Sequence, residues 1–227
     1  MLNEMRRELS FHSNVTFLYK QAHGNSQKQI GQVRELLNED IDLLIISPNE
    51  PEPLPPIVEE TYKKGIPVIV VDRKISTSLY SAYVGGDNYN IGRMAGEYAA
   101  NLLGGKGSVI EITGLPKSSP AIERRTGFSD ALKNYPSIKI AERIDGEWLK
   151  EKAEAKLAAL PEEQLDVHLV FAHNDRMALG TYQVYKAKME TAMPRVIGVD
   201  GLSAKGAGLD LVSGKILTAT MLYPTGG

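Results

Sequence analysis

The 227-residue sequence has no cysteine. That removes disulfides, thiolate nucleophiles and cysteine-based zinc sites together. Histidine is scarce, and His12, His23, His168 and His173 lack the spacing of metal ligands. Charge of one sign does not accumulate: 26 basic residues face 28 acidic ones. A net charge of −2, with no basic block, gives no electrostatic footprint for direct contact with nucleic acid. No apolar run approaches the roughly 20 residues that a membrane helix needs. The opening stretch, MLNEMRRELSF, is amphipathic and charged, unlike a leader peptide. The sequence therefore belongs in the cytoplasm, or its export and anchoring parts lie outside it. Enzyme signatures are missing as well. There is no Gly-x-Gly-x-x-Gly after a strand, no Walker loop and no Gly-x-Ser-x-Gly elbow. Residues 104–108 are glycine-rich but precede their strand, so they read as a turn. Residues 114–119 could cradle an anion at the next helix, but lack the flanking glycine of a phosphate loop.

What is present is a regular alternation. Short apolar runs recur at 15–19, 41–46, 68–71, 109–112, 168–172 and 196–199. Most are rich in Val and Ile and do not alternate with polar residues, as expected of strands buried on both faces. Helical stripes lie between them. Ile30, Val33 and Leu37 follow a cap at Asn25 or Ser26, and Ile91, Met94, Ala95, Tyr98, Ala99 and Leu102 form a cleaner face. Ile122, Phe128 and Leu132 mark a third, Leu149, Ala153, Leu157 and Leu160 a fourth that stops at Pro161, and Met177, Ala178, Thr181 and Tyr185 a fifth. Alternating strands and helices predict parallel sheets covered on both faces. The pattern starts on a helix and stops just after a strand near 217–222, so further elements are expected beyond both ends. The stretch Tyr83-Val84-Gly85-Gly86-Asp87-Asn88 and the stretch 222–224 read as two crossings between lobes.

Each apolar run is followed by polar residues: Asn49 and Glu50, then Asp72 and Arg73, then Thr113, then His173, Asn174 and Asp175, then Asp200. In open parallel sheets the carboxyl ends of the strands are where ligands bind. Asn49, Asp72, Arg73, Arg124, Asn174 and Asp200 together offer amides, carboxylates and guanidinium groups. These suit sugar hydroxyls, which donate and accept at once. Trp148 is the single tryptophan that could cover a sugar's apolar face. Each residue also has a plainer role: Asp72 and Arg73 as a surface ion pair, Asn174 or Asp175 as a helix cap, Asp200-Gly201 as a turn, Arg124 as a solvated charge, and Trp148 as packing. The joint pattern, more than any one residue, points to a ligand site.

The segments LLIISP at 43–48, PVIVVDR at 67–73, GGDNYNIGRMAGEY at 85–98, ERRTGF at 123–128, VFAHNDRMALG at 170–180 and VIGVDG at 196–201 carry a resemblance. Their order and spacing, over nearly the whole chain, resemble the type I periplasmic binding proteins. These are the ribose-binding-protein-like family, whose fold is shared by the cores of LacI-type repressors. The resemblance implies an α/β protein of two doubly wound parallel-sheet lobes joined by a hinge, truncated at both ends. It places an N-terminal lobe at 1–86 without its first strand, a C-terminal lobe at 87–221, and a return crossing at 222–227. It implies that Asp72, Arg73, Arg124, Asn174 and Asp200 contact ligand, to which the residue pattern adds Asn49 and Trp148. It matches the hinge to Asp87 and Asn88, with Gly86 and Tyr223 at the two crossings as the other expected hinge residues. Two departures stand out. The family's second-lobe aromatic aligns near Gly146, and its polar residue at the second crossing is replaced within Met221-Leu222-Tyr223.

The ending LTATMLYPTGG at 217–227 is similar to sensor domains of hybrid two-component systems of gut Bacteroidetes. The expectation is therefore a non-catalytic, periplasmic sugar-binding sensor domain. It needs no cofactor or metal, a histidine kinase module would follow in the same polypeptide, and a homodimer is compatible with it. Three alternatives stand beside it: a soluble sugar-transport binding protein, the effector-binding core of a cytoplasmic LacI-type repressor, and an enzyme on a doubly wound fold with His173 as general base.

Overall fold

The computed structural model describes residues 2–189 and 192–224. The chain divides into two compact units, with the boundary between Gly85 and Gly86 and the second unit ending at Pro224. Residues 225–227 of the expected return crossing lie outside the described residues.

The first unit contains α1 (Leu2–Leu9), α2 (Ser26–Leu37), β1 (Leu44–Ile46), α3 (Pro55–Lys63), β2 (Val68–Val71) and β3 (Ala82–Val84). Its three strands are parallel and stand in chain order, with Ile45 opposite Ile69 and Val70 opposite Tyr83. Asn25 caps α2 by accepting from the Lys28 amide at 2.8 Å. Val33, Leu54, Ile57 and Val58 from the helical side pack on Leu44, Ile46, Val68 and Val70. Burial therefore alternates along β1 and β2 although every residue in them is apolar.

The expected strand at 15–19 is not one. These residues run without regular structure, and Val15, Leu18 and Tyr19 are exposed. The sheet ends at β1, and the residues just after this run are tied to α2 instead. Lys20 pairs with Glu35 at 2.8 Å, and the Gln21 carbonyl accepts from Gln32 Nε2 at 3.0 Å. An apolar run without a hydrogen-bonding neighbour makes no ladder.

The second unit contains α4 (Asn88–Leu102), β4 (Lys106–Thr113), α5 (Ser119–Leu132), β5 (Ser137–Asp145), α6 (Lys150–Ala158), α7 (Glu162–Leu165), β6 (Leu169–Ala172), α8 (Asp175–Lys188), β7 (Arg195–Asp200), α9 (Gly208–Ser213) and β8 (Ala219–Leu222). All five strands are parallel in the order β5-β4-β6-β7-β8. Alternate residues serve opposite faces. Val109, Leu169, Phe171, Ile197 and Val199 meet α4 and α5, whereas Ile110, Ile112, Val170, Ala172 and Val196 meet α6, α8 and α9.

The α4–α5 contact is close because of glycine. A Cβ at Gly127 would lie 2.0 Å from the Tyr89 carbonyl oxygen, and one at Gly92 would lie 2.1 Å from that of Arg124. Strand β5 escapes a search for continuous apolar runs, because Ser-Ile-Lys-Ile alternates as a strand at a sheet edge does. Helix α3 hides behind the proline-rich stretch that opens it, since proline suits a first helical turn as well as a loop.

Candidate functional site

In the first unit, the loops after β1 and β2 meet at their carboxyl ends. Arg73 donates from Nη1 to the Asn49 carbonyl at 3.2 Å, and its Nε lies 3.8 Å from Asp72 Oδ2. Burial pulls the Arg73 guanidinium below its ordinary value, and the Asp72 carboxylate opposes that pull. Asp72 sits at φ +64°, in the left-handed region. Its backbone is held there on both sides: its amide donates to the Val84 carbonyl at 2.8 Å, and its carbonyl accepts from the Tyr83 hydroxyl at 3.1 Å. Asn49 is anchored from its other groups. Its amide donates to Gln29 Oε1, and its Nδ2 donates to Ser26 Oγ and the Gly24 carbonyl. Asn49, Asp72 and Arg73 thus form one rim.

In the second unit, chain order reverses between β4 and β6: β5 lies on one side of β4, and the later strands lie on the other. Such a switch point opens a crevice at the strands' carboxyl ends. Helix α5 delivers Arg124 there, 4% exposed. Its Nε donates to Asn88 Oδ1 at 2.9 Å, and its Nη1 donates to the His173 carbonyl. Its guanidinium carbon lies 5.5 Å from the centroid of Trp148 and 5.2 Å from that of Tyr223. Trp148 follows β5 with φ +67° and lies against Gly114, where a Cβ would meet the indole at 2.1 Å.

The sequence left open whether Asn174 or Asp175 caps α8. Asn174 does, accepting from the Met177 amide at 2.7 Å while its Nδ2 donates to the Trp148 carbonyl at 3.2 Å. Asp175 is turned inward instead. It accepts from the Gly201 amide at 3.0 Å and from Thr220 Oγ1 at 2.7 Å, and burial raises its pKa. That carboxylate fastens the loop holding Asp200, whose φ is +132° and whose carbonyl accepts from the Tyr223 amide at 3.1 Å. Arg124, Trp148 and Asn174 are thus in one connected set, and Asp200 joins it through Tyr223.

The four expected hinge residues lie where the chain enters and leaves this unit. Asp87 caps α4 by accepting from the Asn90 amide, Asn88 Nδ2 donates to the Gly86 carbonyl, and the Gly86 amide donates to the Tyr223 hydroxyl at 3.3 Å.

Behind this rim lies Glu111, which was not singled out from the sequence, paired with His173, which was read there only as a strand-end polar residue and a general base of the enzyme alternative. Glu111 and His173 are fully buried, with Glu111 Oε1 3.1 Å from His173 Nε2. Arg143 Nε donates to Glu111 Oε2 at 2.7 Å. Burial, the strongest influence, lowers the His173 pKa and favours the neutral ring. A lone acid inside the run 109–112 was the available signal, since a charge in an apolar strand requires a partner. Among the described residues, no group of three or more histidine, aspartate or glutamate side chains could hold a metal ion. No described helix is long and apolar enough to cross a membrane.

Comparison with known proteins gives a coherent set of likenesses. A family described as a periplasmic binding protein domain matches residues 1–225. A solved structure, the fructose binding periplasmic domain of a hybrid two component system, is 45% identical with a TM-score of 0.92, covering 99% of this chain and 75% of that one. A xylitol-binding protein of Mycolicibacterium smegmatis is 29% identical, covering 84% of this chain and 54% of its own length. The ribose import binding protein of Bacillus subtilis is 29% identical over 79% of this chain and 58% of its own. The chain thus spans a little over half the length of these curated relatives.

Proposed function

The chain belongs to the periplasmic binding protein family, and from that premise we propose that it binds a small sugar outside the cytoplasm without converting it. Asn49, Asp72 and Arg73 grip the sugar from the first unit, and Arg124, Trp148, Asn174 and Asp200 grip it from the second. Hydroxyls that donate find the carboxylates and carbonyls, and hydroxyls that accept find the guanidinium groups. Ligand held by both units favours their closed arrangement over the open one, with Gly86, Asp87, Asn88 and Tyr223 as the hinge. The changed relation between units is the signal. A histidine kinase module in the same full-length polypeptide reads it, which makes the chain the periplasmic sensor domain of a two-component receptor.

The observation that carries this reading is Arg124, a buried guanidinium held by two acceptors and two rings at the switch point of a parallel sheet. Likeness to a fructose-binding domain of the same receptor class supports the sensor role. Calorimetric titration with D-fructose, D-ribose and xylitol tests it. One of the three should bind and be recovered unchanged. Asp72→Ala should weaken that binding by about 1–3 kcal/mol, because bound donors lose a charged acceptor. Failure of all three to bind, or wild-type affinity in Asp72→Ala, overturns the reading.

A further inference from the structure

Glu111 belongs to neither rim, yet it is a fully buried carboxylate on the central strand β4. It faces α4 and α5, as does His173, two residues beyond Phe171 on β6. Its oxygens are divided between two partners. Oε2 accepts from Arg143 on the edge strand β5, and Oε1 faces His173 Nε2. A carboxylate bound to a guanidinium only accepts, so the proton of the neutral imidazole sits on Nε2. Nδ1 is then a bare acceptor, and it is buried without a partner.

Both partners lead to Arg124. The His173 main chain is fixed by its amide, which donates to the Ile112 carbonyl at 2.9 Å, and its own carbonyl receives Arg124 Nη1. Arg143 has a second arm, Nη2, which donates to Ser129 Oγ at 2.8 Å. Ser129 is on α5, the helix that carries Arg124. One carboxylate therefore ties down both the acceptor that aims the arginine and the helix that supplies it.

We propose that Glu111 is a positioning residue for Arg124: without touching the ligand, it sets the direction of the guanidinium through His173 and Arg143. Its effect on affinity rests on the reading of Arg124 as a sugar contact; its effect on the guanidinium does not. An ordinary core ion pair would contribute stability alone. Trp148 separates the two cases, because it is the only tryptophan and lies against Arg124, so its emission reports where the guanidinium sits.

The experiment compares the full chain with Glu111→Gln, His173→Gln and His173→Leu, by Trp148 emission and by calorimetry with D-fructose. Glu111→Gln should shift the emission maximum and weaken D-fructose binding by about tenfold or more. His173→Gln keeps an N–H that can reach Glu111 and should stay close to wild type in both readouts, whereas His173→Leu should follow Glu111→Gln. A Glu111→Gln protein that melts earlier but keeps wild-type emission and affinity overturns the proposal. Should Glu111→Gln not fold, Glu111→Gln combined with Arg143→Leu removes both charges and is judged by the same emission shift. Should the wild-type chain take up no D-fructose, the affinity comparison uses whichever of D-ribose and xylitol binds; should none of the three bind, the sugar reading fails on its own, and the emission comparison still decides the positioning role.

Discussion

Arg73 of the first unit and Arg124 of the second are both guanidinium groups at the carboxyl ends of parallel strands, but they are held by different means. Arg73 keeps a fifth of its side chain exposed, at 21%, and has a backbone carbonyl and a neighbouring carboxylate at 3.8 Å. Its rim is shaped by backbone geometry, with Asp72 set in the left-handed region. Arg124 is 4% exposed, lies against two aromatic rings, and hydrogen-bonds a side-chain amide and a carbonyl that are themselves fixed. The first rim is made by turns and the second by a polar core. A pre-organised group loses less on binding than a mobile one, and of the two guanidinium groups Arg124 is the more fully held in place.

This contrast can be broken at its strongest point. Arg124→Met leaves Asn88 Oδ1 and the His173 carbonyl buried without their donor, and should lower the unfolding free energy by about 2–4 kcal/mol. Urea denaturation followed by Trp148 emission measures it, and a loss below half a kilocalorie would mean that the buried network is not structural.

Asp72→Gly probes the other rim. Glycine adopts φ +64° without a side-chain penalty, so the variant should gain about 1 kcal/mol in stability while losing ligand affinity. A loss in thermal midpoint would mean that the Asp72 side chain, not the strand geometry, shapes that turn.

The smallest effect concerns pH. The Asp175 pKa is raised by burial from an ordinary value near 3.8. The folded protein therefore holds this proton to higher pH than the unfolded chain does. The stability this group contributes is complete below the ordinary value and is lost as pH rises through the raised one. Asp175→Asn has no such proton to lose. The stability of wild type relative to Asp175→Asn should decline as pH is taken from below 4 towards neutrality, measured by denaturation at several pH values. A flat difference would remove Asp175 from the account.

The sequence made the parallel α/β alternation legible because β4, β6 and β7 are dense in apolar residues and their polar neighbours fall just past their ends. It misled at 15–19, where the same kind of apolar run has no ladder to join. Periodicity describes what a segment could bury and carries no information about its neighbour. The rim residues were visible as types: Asp72 and Arg73 follow β2, and Asn174 follows His173 after β6. Their division of labour was not visible, because Asn174 and Asp175 are equally good caps on paper, and only the fold turns one towards the α8 amides and the other towards Gly201. Glu111 was legible only as an anomaly. The residue that explains it, Arg143, is 32 positions away on β5, the strand whose alternating pattern was itself overlooked.

The glycine contact between α4 and α5 has a mechanical meaning. Where two helix backbones touch with no side chains between them, neither can slide without carrying the other. Asn88 opens one helix, and Arg124 rides on the other, so the distance between them is geared. A side chain at Gly92 or Gly127 would push the two helices apart and part Arg124 from Asn88.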